Sequence, residues 1–286
     1  MKSINDCYTL LNGIQIPCMG FGTYNAKGGD NLAINKTAIE AGYRYFDTAS
    51  LYETERVLGQ AVKESGIPRE EFFIVSKLWH DERGYQEAKD ALERTLDRLQ
   101  MDYLDLYLIH QPVGDYIGAW RAIEEAYREG RLRAIGVSNF NAARLLDFCE
   151  SVTVKPAVDQ VEIHPFFHQK EAMTVMADYG VTPEAWGPFA EGQFGLFTNP
   201  VLTEIGRTHG KTAAQVALRW NVQRGVVVIP KTVHKERMEQ NFNIWDFALS
   251  SEEMEKIEAL DTGRSGIVDH NSPAFIRMLH NLKIHE

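Results

Sequence analysis

Four side chains with complementary acid–base chemistry stand at or just after strand-like segments of this 286-residue chain. Asp47, Lys77 and His110 each end such a segment, and Tyr52 lies in the loop that follows Asp47. In a parallel α/β barrel the carboxyl ends of the strands share one face, so the four side chains would converge on one pocket. A carboxylate, an ammonium, an imidazole and a phenol in one pocket predict a proton donor suited to the reduction of a carbonyl group.

The chemistry of this group depends on its members acting together. Each residue alone also has a purely structural interpretation. Asp47 could cap a helix and Tyr52 could be a partly buried ring. Lys77 could be a solvated lysine and His110 a hydrogen-bonded structural histidine. Together, Lys77 is expected to lower the pKa of Tyr52 from about 10, while Asp47 holds the lysine in place. His110 would orient the carbonyl oxygen and Tyr52 would protonate it as hydride reaches the carbon, a transfer worth about 10²–10⁴ in rate.

The segments that would position these residues alternate between strand and helix eight times. Eight such units predict an α/β fold, a closed (β/α)₈ TIM barrel, with an open doubly wound sheet as the alternative. Two extra helices are also expected. The strand patterns occupy 19–21, 44–47, 72–77, 104–110, 132–137, 157–162, 181–186 and 226–229. The helical patterns occupy 31–41, 53–65, 85–99, 116–128, 142–149, 171–179, 212–223 and 236–241, and the extra helices 200–209 and 251–260.

The N-terminal segment predicts one further element. Segments 8–10 and 14–16 flank Asn12-Gly13, a dipeptide suited to a type I′ turn, and the resulting hairpin is predicted to plug the bottom of the barrel. No low-complexity or linker-like tract interrupts the chain. Residues 1–286 are therefore interpreted as a single barrel domain.

Composition and charge exclude several other classes of function. The formal net charge is −10, from 40 acidic and 30 basic residues, which argues against broad nucleic-acid or acidic-membrane binding. Without a long apolar run or a leftover apolar stripe, the chain is expected to be cytoplasmic and monomeric. The three cysteines lack metal-like spacing, and Pro165 between His164 and His168 disfavours a helical ligand pair, so no metal is predicted.

Short motifs recur in order over residues 8–262. With them the chain closely resembles the aldo-keto reductase superfamily, and most closely the prokaryotic 2,5-diketo-D-gluconate reductase-like branch. The resemblance implies the barrel, a nicotinamide cofactor, and a catalytic tetrad of Asp47, Tyr52, Lys77 and His110. The motifs are Gly20-Phe21-Gly22-Thr23, Asp47-Thr48-Ala49, Leu108-Ile109-His110, Gly136-Val137-Ser138-Asn139-Phe140, Glu162-Ile163-His164-Pro165 and Ile229-Pro230-Lys231-Thr232, with Gln111-Pro112 and Ala185-Trp186-Gly187-Pro188 for the branch.

The resemblance also implies how NADPH would be held, since no GxGxxG motif follows a strand. Ser138, Asn139 and Gln160 would bond the nicotinamide amide, and Trp186 would stack on the nicotinamide ring. The full set of implied cofactor contacts is Gly22, Thr23, Asp47, Ser138, Asn139, Gln160, Trp186, Gly187, Pro188, Lys231, Thr232, Val233, Arg237, Gln240 and Asn241.

The adenosine end of the cofactor is assigned to the segment after the eighth strand. Lys231, Thr232 and Arg237 match the family's positions for the 2′-phosphate, at a helix start where anions are favoured. Asn241 matches the adenine-contacting position, and Gln240 stands where the family often has Glu. The two cations predict NADPH over NADH.

The substrate is expected to bind between the loops above the tetrad. Gln111 replaces the tryptophan that many family members have after the catalytic histidine, which predicts a less aromatic and more polar pocket. Small aldehydes and ketones are therefore expected, namely α-dicarbonyls such as methylglyoxal and diketogluconate-like sugar acids. The candidate substrate contacts are Tyr24, Tyr52, Trp79, His110 and Gln111, with Leu51, 191–196 and 268–275 as further walls.

Two other functions remain open on the sequence. One is an NADPH-binding sensor or interaction protein built on the same barrel. The other is a phosphate-binding isomerase or lyase without nicotinamide chemistry. Tight NADPH binding without turnover would favour the first, and failure to bind either nicotinamide cofactor would favour the second.

Overall fold

A computed structural model describes residue 3 and residues 5–24 and 31–283. Within these residues, eight parallel strands form one sheet in which each strand bonds to the next along the chain. A two-stranded antiparallel hairpin precedes them. The hairpin strands are β1 (Cys7–Thr9) and β2 (Gln15–Pro17), and the sheet strands are β3 (Phe21–Gly22), β4 (Tyr45–Asp47), β5 (Phe73–Leu78), β6 (Leu106–Ile109), β7 (Ile135–Ser138), β8 (Val158–Glu162), β9 (Thr182–Trp186) and β10 (Val227–Val228).

Backbone hydrogen bonds join the two ends of this sheet. The Gly20 amide donates to the Val228 carbonyl at 2.8 Å, and the Val228 amide donates to the Cys18 carbonyl at 3.1 Å. Met19 and Val228 form a parallel bridge between the segment before β3 and β10. The predicted (β/α)₈ barrel is therefore confirmed, and the alternative of an open sheet is wrong.

The hairpin lies where the sequence predicted it, but its turn is not type I′, because φ is positive at Gly13 and not at Asn12. Cys7 pairs with Pro17, and Leu10 and Ile16 are buried in the cluster that fills the barrel interior. The Tyr8 hydroxyl donates to the carbonyl of Val222 at 2.6 Å. These contacts close the end of the barrel away from the carboxyl ends of the strands.

Helices surround the sheet and bury their apolar faces against it, as the alternating sequence pattern predicts. The two predicted extra helices are present at 200–209 and 251–258, and a tail helix is present at 273–281. No helix in the described ranges is long and apolar enough to cross a bilayer. The helices are α1 (Asn31–Glu40), α2 (Glu55–Glu64), α3 (Tyr85–Leu99), α4 (Tyr116–Arg128), α5 (Ala142–Ser151), α6 (Lys170–Tyr179), α7 (Pro200–His209), α8 (Ala213–Gln223), α9 (Lys235–Phe242), α10 (Ser251–Glu258) and α11 (Pro273–Asn281).

The start of α2 differs from the sequence prediction in a way that matters for the site. Helical spacing predicted a start at Glu53, but that residue adopts a left-handed conformation with φ 58°. A short 3₁₀ turn, Ser50–Tyr52, precedes it, and α2 begins only at Glu55. The turn, rather than a regular helix, therefore carries Tyr52 over the strand ends.

Strand alternation decides which side chains enter the barrel. Successive residues of a strand point to opposite faces. Along β5, Phe73 and Val75 belong to the interior cluster, whereas Ile74 packs towards the helices. Lys77 continues the interior series, so the strand itself places this ammonium inside the barrel.

Candidate active site

The ammonium of Lys77 is the centre of the predicted acid–base group. Its Nζ donates to Asp47 Oδ1 at 2.6 Å, to the Thr48 carbonyl at 3.1 Å and to the Tyr52 hydroxyl at 3.3 Å. Lys77 has 0% of its surface exposed, and Asp47 has 2%. A cation and an anion that are both withdrawn from water stabilise each other only in close contact, which this pair has.

The protonation of the tyrosine differs from the sequence expectation. Burial raises the pKa of Tyr52 to about 12, and the charge of Lys77 opposes this shift without reversing it. The prediction that Lys77 would bring this pKa below its ordinary value is wrong for this structure, because loss of solvation disfavours the phenolate more than the ammonium favours it. Desolvation also disfavours the charged form of Lys77, but Asp47 and Tyr52 outweigh it and raise the pKa of the lysine. The site therefore presents a protonated phenol at neutral pH.

His110 completes the group from the end of β6. Its ring packs edge-on against Tyr52, with ring centres 5.5 Å apart, and against Trp79 at 4.9 Å. Burial, followed by the charge of Lys77, holds the pKa of His110 well below its usual range. A neutral imidazole beside the phenol can donate one hydrogen bond to a carbonyl oxygen without competing for the proton.

The residues implied for the nicotinamide amide lie directly beside this group. Gln160 Nε2 donates to Asp47 Oδ2 at 2.8 Å, and the Ser138 hydroxyl donates to the Gln160 carbonyl at 2.8 Å. Asn139 Nδ2 donates to the carbonyl of His110 at 3.0 Å, and Trp186 Nε1 donates to Asn139 Oδ1 at 2.8 Å. The hydrogen bonds thus join the tetrad and the predicted amide contacts into one network.

The residues implied for the adenosine end divide into two groups. Arg237 and Gln240 are exposed on α9, as is Val233 just before it. Thr232 is buried and its Oγ1 accepts from the His234 amide. Asn241 is buried and hydrogen-bonds to Tyr43, so the structure does not direct it to the surface where adenine was expected.

A cavity of about 760 Å³ opens above the tetrad. Lys77 does not line it, so the lysine acts on the cavity through Tyr52. A neighbouring cavity of about 800 Å³ shares Asn139, Val268 and His270 with it but contains no tetrad member. Predicted residues that line the catalytic cavity are Gly22, Tyr24, Asp47, Leu51, Tyr52, Trp79, His110, Gln111, Ser138, Asn139, Gln160, Trp186, Gly187, Pro188, Glu191, Gln193, Lys231, Val268 and Phe275.

The cavity is more apolar than Gln111 suggested. Gln111 does line it, but α11 and the loop after β9 add apolar side chains that sequence reasoning missed. Phe275 and Leu279 in α11 and Leu282 directly after it have the spacing of one helix face, and this spacing was the signal available in the sequence. The missed wall residues are Phe189, Phe197, Ile229, Ile267, Met278, Leu279 and Leu282.

Three polar atoms on residues that line the catalytic cavity have no hydrogen-bond partner among the described residues, although they are buried. They are Trp79 Nε1, His110 Nδ1 and Gln111 Oε1. Buried polar groups normally bond to something, so these atoms are suited to a polar ligand. Gly22 in the cavity wall lets the backbone near Ile229 approach closely, because a Cβ there would lie 3.1 Å from the Ile229 carbonyl. Together with Trp186 and the cation Lys231 in the cavity wall, these features fit a dinucleotide and a small carbonyl compound.

Comparison with known proteins agrees with this geometry. The model of the aldo/keto reductase family matches residues 18–262. Glyoxal reductase of Bacillus subtilis is 46% identical over 261 residues, covering 91% of this chain and 94% of that protein. Methylglyoxal reductase DkgA of Escherichia coli O157:H7 is 38% identical over 258 residues, covering 89% and 93%.

Solved structures show the same fold. An aldo-keto reductase enzyme from a Medee basin deep-sea metagenome library superposes with a TM-score of 0.90 at 38% identity, covering 93% of this chain and 98% of that one. A Bombyx mori aldo-keto reductase in complex with NADP superposes with a TM-score of 0.87 at 32% identity, covering 95% and 96%. The barrel is thus shared with proteins of similar length.

Proposed function

This chain belongs to the aldo/keto reductase family, and from that premise we propose that it is an NADPH-dependent reductase that converts small aldehydes and ketones to alcohols. The contact of Lys77 with both Asp47 and Tyr52, beneath a cavity that His110 also lines, carries the proposal. NADPH, when bound, supplies the hydride. The residues of the chain supply orientation and the proton.

Each member of the tetrad has a separate task. His110 donates a hydrogen bond to the substrate carbonyl oxygen and holds it near Tyr52. Tyr52 gives its phenolic proton to that oxygen as negative charge develops there. Lys77 stabilises the tyrosinate left behind, and Asp47 keeps the lysine charged and in place although it is buried.

The cofactor would be held by the two groups of residues that the resemblance implies. Ser138, Asn139 and Gln160 would bind the nicotinamide amide, with Trp186 against the ring. Lys231 and Arg237 would bind the 2′-phosphate, Lys231 from the cavity wall and Arg237 from the exposed start of α9. Because both cations would bind a phosphate that NADH lacks, NADPH is the preferred cofactor.

The proposed substrates are α-dicarbonyls, namely glyoxal and methylglyoxal, and diketogluconate-like sugar acids. The names of two relatives support the first class. The unpartnered Oε1 of Gln111 is an acceptor and supports the second class, whose hydroxyl groups can donate to it. The apolar wall from α11 would accept a methyl group. A cytoplasmic location, a monomeric state and a single domain stay predictions.

The test is a spectrophotometric assay of NADPH and NADH oxidation by the purified chain with methylglyoxal, glyoxal, diketogluconate and a bulky ketosteroid. We expect NADPH-dependent turnover on the small dicarbonyls and little on the steroid. NADPH binding without turnover on any carbonyl would contradict a reductase and favour a sensor. Failure to bind either cofactor would contradict nicotinamide chemistry altogether.

A further inference from the structure

A second carboxyl group, Glu184, lies inside the barrel below the tetrad. It has 0% of its surface exposed, and its Oε1 accepts a hydrogen bond from the hydroxyl of Tyr45. Tyr45 precedes Asp47 by two residues on β4, so both point into the barrel. Gly20 makes room for the Tyr45 ring, since a Cβ at that position would lie 2.7 Å from it.

The register of the sheet puts Glu184 next to the proposed cofactor contacts. Glu184 pairs with Gln160 across β8 and β9, and Gln160 donates to Asp47. Trp186 follows Glu184 by two residues on β9 and therefore shares its face, about 7 Å further along the strand. Glu184 is thus one layer below the position proposed for the nicotinamide ring.

The groups around Glu184 provide no free positive charge to compensate an ionised carboxylate. The groups that face it are Tyr45 and Asp47 from β4, Lys77 from β5 and Gln160 from β8. Lys77 is the cation among them, and it is already in contact with Asp47. Glu184 Oε2 has no hydrogen-bond partner among the described residues. An ionised form would therefore be a buried anion without a counter-charge, which is costly.

We propose that Glu184 is a proton-exchanging group that responds to the charge of the nicotinamide ring, neutral beneath the reduced ring and ionised beneath the oxidised one. The proposal rests on the proposed function, because it needs a nicotinamide cofactor in the catalytic cavity. The positive charge of the oxidised ring would supply the missing counter-charge. Glu184 would then release its proton to solvent when NADP⁺ binds and keep it when NADPH binds.

Glu184 is expected to change its protonation within the pH range in which cofactor binding can be measured. Burial and the Asp47 charge raise the pKa of Glu184 to about 8, while Tyr45, Lys77 and Gln160 oppose the rise. A nearby positive ring lowers this pKa in the NADP⁺ complex. Between the lowered value and about 8, binding of NADP⁺ releases a proton, so its affinity rises with pH; above that range the effect levels off.

The experiment measures the dissociation constants of NADP⁺ and NADPH by quenching of tryptophan fluorescence from pH 6.5 to 9. The ratio of the two constants is the readout, because the 2′-phosphate is common to both ligands and cancels. For the wild-type chain this ratio of NADP⁺ to NADPH should fall with rising pH, by at most about tenfold per pH unit for one proton. Titration calorimetry at pH 7 in two buffers of different ionisation enthalpy should show more proton release for NADP⁺ than for NADPH.

Three variants separate this role from a structural one. Glu184→Gln keeps the shape but cannot ionise, so the ratio should become independent of pH. Tyr45→Phe removes a hydrogen bond that favours the ionised form, so the fall should move to higher pH. Asp159→Asn is the matched control, since Asp159 is a fully buried carboxyl on β8 that points to the face opposite Gln160, and it should leave the ratio unchanged.

Each outcome decides the inference. A ratio independent of pH in the wild type, or the same pH dependence in Glu184→Gln, would overturn it. If Glu184→Gln does not fold, the absence of any shift in Tyr45→Phe would overturn it instead. Failure of the wild type to bind either cofactor would overturn the proposed function as well, whereas good binding with a constant ratio would overturn this inference alone.

Discussion

At the scale of single residues, the site depends on a buried pair of opposite charges. Lys77 and Asp47 are almost completely withdrawn from water and are 2.6 Å apart. Breaking such a pair by removing one partner leaves an uncompensated charge in the interior, whereas removing both charges does not. The pair therefore ties the stability of the barrel to its catalytic group.

Replacement of the lysine should reveal this coupling. Lys77→Met should abolish reduction and lower the free energy of unfolding by about 3–5 kcal/mol, because Asp47 would be left buried without a counter-charge. Adding Asp47→Asn to it should restore part of the stability and none of the activity. Urea unfolding followed by circular dichroism measures both variants. A double variant no more stable than Lys77→Met would contradict a role for the unpaired charge.

The tetrad was predictable from the sequence, but its electrostatics were not. Asp47, Lys77 and His110 were found because each ends an apolar strand, and barrel strand ends meet on one face. The pKa of Tyr52 was predicted in the wrong direction because a sequence gives neighbours in a motif but not the depth of burial. Glu184 was not singled out because one carboxylate within a strand carries no spacing signal.

At the scale of elements, the start of α9 is the proposed phosphate site. Arg237 is exposed there and has no ion pair among those of the described residues. Arg237→Ala should weaken NADPH binding by about 10–100-fold, the range expected for one charge-assisted hydrogen bond, and should leave NADH binding unchanged. Arg207→Ala on α7, where Arg207 pairs with Glu204, is a charge-matched control.

The comparison of the two cofactors tests this assignment directly. Fluorescence titration of each variant with NADPH and NADH gives the affinities. An equal loss for both cofactors in Arg237→Ala would mean that the arginine does not contact the 2′-phosphate. A similar loss of NADPH affinity in Arg207→Ala would show that the effect comes from the net charge of the protein and not from a specific contact of Arg237.

The tail helix α11 is the element that covers the catalytic cavity. Leu279 is buried with Trp79 and Val113 in a small cluster separate from the barrel core. The Ser265 hydroxyl donates to Glu162 Oε2 at 2.6 Å and fixes the start of the tail. The docking of this helix was not predicted, because Leu279 contacts Trp79 and Val113, which lie far from it in the sequence.

Weaker docking of α11 should affect substrate binding more than the stability of the barrel. Leu279→Ala removes a buried side chain, a change that costs about 2–5 kcal/mol in a packed cluster, but the loss should fall on the docking of α11. We expect a higher KM for methylglyoxal, an unchanged affinity for NADPH and a nearly unchanged melting temperature. Arg277→Ala, on an exposed position of the same helix, is the control. A large drop in melting temperature for Leu279→Ala would show that α11 is part of the cooperative core.

At the scale of the whole molecule, the floor of the barrel lies apart from the catalytic site. Packing in the floor and interior stabilises the barrel, whereas the carboxyl ends of the strands carry the site. The hairpin closes the floor, and β3 and β10 close the ring. The barrel and the order of its strands were predictable from eight repeats of one pattern. Most strands were predicted too long, because the apolar runs extend beyond the residues that pair in the sheet.

A change in the floor should therefore leave catalysis intact. Tyr8→Phe removes the hydrogen bond to the Val222 carbonyl, which also accepts from the Gly225 amide and is not left unbonded. We expect a loss of about 1 kcal/mol in unfolding free energy and no change in kcat. Thermal unfolding and steady-state kinetics measure the two quantities. A fall in kcat at full folding would contradict the separation.

The central claim is that Tyr52 gives the proton in carbonyl reduction. The most direct measurement is single-turnover NADPH oxidation with methylglyoxal by the wild type, Tyr52→Phe and Tyr24→Phe. Tyr24 is the matched control, because its ring lies 4.9 Å from that of Tyr52 in the same cavity. We predict that Tyr52→Phe loses about 10²–10⁴ in rate while still binding NADPH, and that Tyr24→Phe keeps its rate. Near-wild-type turnover by a folded Tyr52→Phe variant would contradict the account.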